Sequence, residues 1–410
     1  MRAFPSRILL PLGLVVASIL ASGCGGSNSA SQSSQSSQPG STPGSNVQAI
    51  VVNSGPDSNY VDGAFTSVTV CVPGTATNCQ TISGILVDTG SSGLRILSSA
   101  LTVSLPAQKN SSGSPIAECA AFADGITWGP IHTADVKISG EQASSLPIQV
   151  IGSPSLPTIP ANCTAQGQPM DDLANLGANG LLGVGTFIED CGPACAAGGH
   201  GPGTYYACPS AVCADTSESV AEQVKNPVAS FATDNNGLIV ELPAVTSPEA
   251  STSGSLIFGI GTQSNNGLGG ATVFGTDQFG DFTTTYKSTR YLSFLDSGSN
   301  GIYFLDSATT GLPICKGLTF LYCPSSTQTI TVLNNAQPGT NGASGPVSFM
   351  VGNGITLFGN GSNAAVNELA GPAPMPGLFD FGLPFFFGRH VYAAIEGKST
   401  PGGTGPYLAY

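Results

Sequence analysis

Two aspartates, Asp88 and Asp296, carry the residues around them in duplicate. Val87-Asp88-Thr89-Gly90-Ser91-Ser92-Gly93-Leu94-Arg95-Ile96 and Leu295-Asp296-Ser297-Gly298-Ser299-Asn300-Gly301-Ile302-Tyr303-Phe304 share Asp, Gly, Ser and Gly at identical offsets, and each is followed by a leucine, Leu97 or Leu305. Two carboxyls brought face to face cannot both ionise easily. Like charge raises one pKa, and the pair holds a single proton between its members. Such a pair is base and acid at once: one member takes a proton from water as that water attacks a carbonyl, and the other stabilises the oxyanion before a proton reaches the leaving nitrogen.

Positioning the pair requires two similar elements. Each motif follows a β-type run, 82–87 or 291–295, so each Asp stands where a strand stops and a glycine lets the chain turn. The repetition implies an internal duplication with two half-sites facing one another. At 410 residues the chain is long enough for two cores, and 55 glycines and 30 prolines suit many short strands joined by tight turns. A mostly β, bilobal protein is expected, with an N-terminal lobe over 47–225 and a C-terminal lobe over 226–410. A short helix or turn over 228–234 and a strand from Gly237 to Leu242 mark the junction.

The chain resembles the pepsin-like aspartic protease superfamily, whose members carry Asp-Thr-Gly or Asp-Ser-Gly once in each of two β-rich lobes. In that family a hydrophobic-hydrophobic-Gly segment threads through each Asp loop. Leu181-Leu182-Gly183 and Phe381-Gly382 are similar to those segments and follow Asp88 and Asp296 at comparable separations. The stretch from Phe122 through Gly125 to Trp128-Gly129 is placed like the family's flap hairpin, and Gly254 to Gly261 is similar to the strand that opens the second lobe. Within the superfamily the chain is most similar to a group of uncharacterised bacterial lipoproteins of unknown function.

The resemblance implies a pseudo-twofold pepsin-like fold and an aspartic endopeptidase acting on a peptide or protein substrate without a cofactor. Asp88 and Asp296 are then catalytic. Thr89 and Ser297 buttress the opposing loops, Ser91 and Ser299 hydrogen-bond the carboxylates, and Gly90 and Gly298 shape the turns. Phe122, Gly125 and Trp128 belong to the flap, with Trp128 or Phe122 standing where the family has tyrosine. Arg95 replaces the family's aromatic after the first loop and brings a cation towards the site, an arrangement that depresses carboxyl pKa values. The segment Phe385-Phe386-Phe387 is expected in the core beneath the pair, with outward members lining an apolar cleft opposite Phe122 and Trp128. The competing reading is a non-catalytic protein that binds peptide or glycan in the same cleft.

The N-terminus reads as an address. Arg2 and Arg7 precede an apolar run over 8–20, and Leu20-Ala21-Ser22-Gly23-Cys24 reads as a lipoprotein signal with Cys24 as the lipidated residue. Residues 1–23 are then signal, and 24–46 a Ser/Gly/Gln tether to a bacterial envelope membrane. Gly25, where retention at the inner membrane calls for Asp, favours the outer membrane, facing the periplasm or the exterior.

Ten further cysteines, an even number, suit five disulfides in an oxidising compartment, with Cys71–Cys79 and Cys315–Cys323 the plausible local pairs and a stapled loop over 191–213. Disulfides are favoured over a zinc site for that dense set, and no metal is expected. A net charge of −13 argues against nucleic acid as a partner. His132, His200 and His390 are scattered outside any His-Glu-x-x-His pattern. No serine stands in Gly-x-Ser-x-Gly, and Gly397-Lys398-Ser399 lacks the upstream glycine of a phosphate loop.

Overall fold

The computed structural model describes residues 46–196 and 203–410. The expected signal, Cys24, the tether up to residue 45 and His200 lie outside the described residues. Asn46 already belongs to the fold, because its side-chain amide donates to the Phe258 carbonyl at 2.7 Å. Among the described residues no helix is long and apolar enough to cross a membrane.

Strands dominate, and the helices are about one turn long. Local chemistry explains such turns: in Leu173–Leu176 the Asp172 carboxylate accepts from the Asn175 N–H, and Gly177 ends the turn in left-handed conformation. Val228–Ser230 forms a 3-10 turn and Gly237–Leu242 a strand.

Each Asp loop is built from the same four-strand arrangement. In the N-terminal half Cys79–Asp88 runs parallel to Gly180–Val184, which runs antiparallel to Ser92–Leu97, and Ser92–Leu97 is parallel to Glu141–Ile151. In the C-terminal half Thr289–Leu295 runs parallel to Leu378–Phe381, Leu378–Phe381 antiparallel to Ile302–Phe304, and Ile302–Phe304 parallel to Ala370–Pro372. The strand that arrives last in sequence is thus inserted between the two strands flanking each motif. Threading requires glycine at the crossing: a Cβ on Gly183 would stand 2.7 Å from the Ser92 carbonyl carbon, and one on Gly382 2.1 Å from the Gly301 oxygen.

The halves share one sheet. Fifteen strands run from the N-terminal lobe through Val47–Asn53 into Thr252–Phe258, Gly237–Leu242, Arg389–Ala394, Tyr407–Ala409 and Val273–Gly275. Val47 pairs with Ile257, so the first described strand is hydrogen-bonded to Thr252–Phe258 of the second half. A seven-stranded sheet completes the C-terminal half and holds the second motif.

Beneath the second motif lies an aromatic core. Phe379 and Phe381, two residues apart and therefore on one face of their strand, stack at 5.7 Å between centroids, and Phe304, Phe349 and Phe385 pack around them. Phe385, Phe386 and Phe387 are all buried, and each of the first two is wholly so. No member of that triplet faces outward into the cleft.

Candidate active site

Asp88 ends its strand and Asp296 follows directly on Leu295, so the threaded strands bring the two motifs together loop to loop. Both carboxyls are almost wholly buried. Each is held in the same way. Asp88 accepts the Gly90 N–H at 2.8 Å and the Ser91 hydroxyl at 2.5 Å; Asp296 accepts the Gly298 N–H at 2.8 Å and the Ser299 hydroxyl at 2.9 Å.

The loops interlock. The Thr89 hydroxyl donates to the Leu295 carbonyl and accepts the Ser297 N–H, while the Ser297 hydroxyl donates to the Val87 carbonyl and accepts the Thr89 N–H. Glycine follows each hydroxyl residue because the opposite carboxyl fills the space a side chain would need. A Cβ on Gly90 would stand 2.6 Å from Asp296 Cγ, and one on Gly298 would stand 2.9 Å from Asp88 Cγ. The carboxyls therefore meet across the pseudo-twofold axis. Burial, the charge of Asp88 and then that of Asp380 push the Asp296 carboxyl well above the usual carboxylate range, against the opposing pull of the Gly298 N–H.

Arg95 does not present its cation to the pair. Its guanidinium is fully buried and bonds Glu118 Oε1 at 2.5 Å, Asp190 Oδ2 at 3.2 Å and the Ser92 carbonyl at 2.9 Å. Two acids, Glu118 and Asp190, answer the cation, so Arg95 belongs to a buried ion network rather than to the aspartate pair. Burial and the neighbouring Glu118 carboxylate hold Asp190 well above the ordinary carboxylate range.

The flap segment also differs from expectation. Strands Ile116–Ala121 and Ile126–Ile138 form the hairpin, closed by the Phe122 N–H donating to the Gly125 carbonyl. Phe122 is buried against Leu86, Leu181 and Met170, and Trp128 is buried with Cys119, Cys163 and Tyr206, its indole N–H donating to the Leu156 carbonyl. Neither aromatic lines the cleft. The hairpin tip is pinned by backbone bonds from Ile126 to Gln168 and from Met170 to Ile126, and the Cys119–Cys163 disulfide ties its first strand to Ala161–Thr164.

A cavity of about 840 Å³ opens against Thr89, Gly90 and Ser91. Its apolar wall is made by Phe187, Ile188, Phe279 and Phe294. Phe279 is 64% exposed, an apolar ring held at the mouth. Sequence reasoning missed these residues. Phe294 had a signal, since alternation places it two residues before Asp296 on the same face; the others follow only from how the loops fold back. Asp380 was missed as well, although aligning the two threading segments on Gly183 and Gly382 sets it opposite Leu181.

Five disulfides are present: Cys71–Cys79, Cys119–Cys163, Cys191–Cys195, Cys208–Cys213 and Cys315–Cys323. The two expected local pairs are among them, and two bridges staple the 191–213 region. Among the described residues no group of three His, Cys, Asp or Glu side chains is placed to hold a metal.

Two threaded loops, one on each of two sheets and each presenting its aspartate to the other, define a bilobal pepsin-like aspartic proteinase fold. The aspartic proteinase from Irpex lacteus is a similar solved structure, with a TM-score of 0.50 and 16% identity over 88% of this chain and 96% of that one. At that identity the likeness bears on the fold alone. By its sequence the chain belongs to the family described as protein of unknown function DUF3443, whose model matches residues 42–410. No curated protein matches it in sequence.

Proposed function

We propose that the chain is an aspartic endopeptidase of the bacterial envelope, anchored by lipid on Cys24, that hydrolyses peptide bonds with water activated between Asp88 and Asp296. One observation carries the chemistry: the two carboxyls are equivalently held, each by a glycine N–H and a serine hydroxyl, and each packs against the other's loop. Two equivalent buried carboxyls share one proton. The ionised member takes a proton from water, and the oxygen attacks the substrate carbonyl. The protonated member donates to the developing oxyanion, after which a proton passes to the departing nitrogen and the C–N bond breaks. Peptide would lie along the cavity beside Thr89, with apolar side chains against Phe187, Ile188, Phe279 and Phe294.

The lipoprotein reading is supported by the N-terminal sequence and by five disulfides, which persist in oxidising compartments. The hydrolase is tested by cleavage of an unfolded protein from about pH 3 to 7, where such a pair can share its proton. Asp88→Asn and Asp296→Asn should each lower the rate by about 10³-fold or more. A folded wild type that cuts nothing across the range sinks the hydrolase and leaves ligand binding in the cleft.

A further inference from the structure

The second threading segment carries an acid where the first carries a hydrocarbon. Asp380 takes the place of Leu181, with Phe294 beside it in parallel register and Tyr303 in antiparallel register. Phe379 and Phe381 point into the aromatic core, so Asp380, between them, points to the opposite face of the strand. It is fully buried, and neither carboxyl oxygen has a hydrogen-bond partner among the described residues. No ion pair among those residues reaches it.

Its surroundings belong to the site. The Ser299 hydroxyl, already given to Asp296 at 2.9 Å, lies beside Asp380 without completing a hydrogen bond to it, and the carboxyls of Asp88 and Asp296 are within electrostatic reach. Tyr303 faces it from the neighbouring strand, but its hydroxyl donates to Asn300 at 2.7 Å. Beyond Tyr303 stand Asp62 and Asp124, two more carboxyls. Burial lifts Asp380 well above the ordinary carboxylate range; the Ser299 hydroxyl opposes that shift and Asp88 adds to it. Packing alone does not call for an acid here, since leucine fills the equivalent position in the other half.

We infer that Asp380 is a positioning residue of the Asp88–Asp296 pair: a third carboxyl, buried beside Ser299, that shares the pair's titration and sets its upper pH limit. A neutral Asp380 adds no charge to the pair. As pH rises and it ionises, its negative charge opposes loss of the last shared proton, so the pair stays singly protonated to higher pH. The pH limit bears on catalysis only if the pair is hydrolytic, and so rests on the proposed function; the shared titration does not.

The test is the pH dependence of denaturant unfolding of the whole protein for wild type, Asp380→Asn, Asp296→Asn and the double variant, from about pH 4 to 8. An acid whose folded pKa is raised binds more protons in the native state, so the wild type loses stability as pH climbs from the unfolded carboxyl value towards the folded one. Asp380→Asn should remove part of that loss and so gain on the wild type with rising pH, and its effect should differ when Asp296 is already Asn. A pH-independent difference, or strict additivity in the double variant, overturns the inference whether or not the protein cleaves anything. In a cleavage assay the alkaline limb of Asp380→Asn should move to lower pH by about one unit. An unmoved limb overturns the role in setting the pH limit. If the wild type cuts nothing while the unfolding data are non-additive, the hydrolase falls and the shared titration stands. Asp380→Leu, which copies the side chain of Leu181 into the second segment, separates charge from volume: it should match Asn in pH dependence.

Discussion

Thr89 and Ser297 each accept the other's backbone N–H, at 2.9 Å to the Thr89 hydroxyl and 3.1 Å to the Ser297 hydroxyl. Each hydroxyl also donates across the axis, to Leu295 or Val87. The two halves are thus joined at the residues immediately after the aspartates, where a small rotation of one loop would separate the carboxyls.

That exchange should be visible as energetic coupling. Thr89→Val or Ser297→Ala leaves a buried N–H and a buried carbonyl without a partner, which costs about 1–3 kcal/mol for each unsatisfied group. Because both substitutions break the same exchange, the double variant should fall short of the sum by about 0.5–3 kcal/mol in denaturant unfolding. Thr89→Ser keeps the hydroxyl and should stay near wild type. Additive losses would show that the loops are held by something else.

Arg95 should matter to stability more than its distance from the carboxyl pair suggests. Arg95→Met strands Glu118 and Asp190 as buried carboxylates without their cation, a loss of about 3–5 kcal/mol near neutral pH. The sign with pH follows from protonation. Without Arg95 the Asp190 carboxyl, already held high by burial, loses the cation that opposes that rise, so the variant binds more protons when native and recovers stability as pH falls. The deficit measured at pH 7 should shrink towards pH 4, and a deficit that stays constant would contradict the ion network.

The Cys119–Cys163 bridge closes a sequence separation of 44, against 4 for Cys191–Cys195. On the chain-entropy account the longer loop stabilises by about 4 kcal/mol and the shorter by about 2 kcal/mol. Replacing both cysteines of the pair by alanine should therefore lower the thermal midpoint more for 119/163 than for 191/195. It should also raise hydrogen exchange in Ile116–Ala121, the flap strand that the bridge ties down. The opposite order would place the flap's restraint in the Gln168 and Met170 backbone bonds instead.

Much of the site was legible because it is local. The aspartate, the hydroxyl after it, the glycine and the serine three positions on all act within one turn, and that turn occurs twice, so duplication in the chain announced the pair. Strand ends and tight turns followed from the glycines. The fates of Arg95 and Trp128 were not legible in the same way. Arg95 has the composition of a site cation, yet its charge is answered by Glu118 and Asp190, 23 and 95 residues away in sequence. Trp128 stands beside a flap glycine, yet packing with Tyr206 turns its ring inward.

The sequence by itself determined the mostly β character, the twofold repeat, the two facing aspartates and the hydroxyls and glycines that hold them, because each depends on residues adjacent in the chain. Only the tertiary structure decided which cysteine closes on Cys119, where the charge of Arg95 goes, which rings line the cleft and that Asp380 lies buried behind Ser299. Those outcomes depend on register and on which face of a strand meets which neighbour. Shifting a strand by one residue would exchange its two faces, and nothing in the residues on either side records which partner arrives from the far half of the chain.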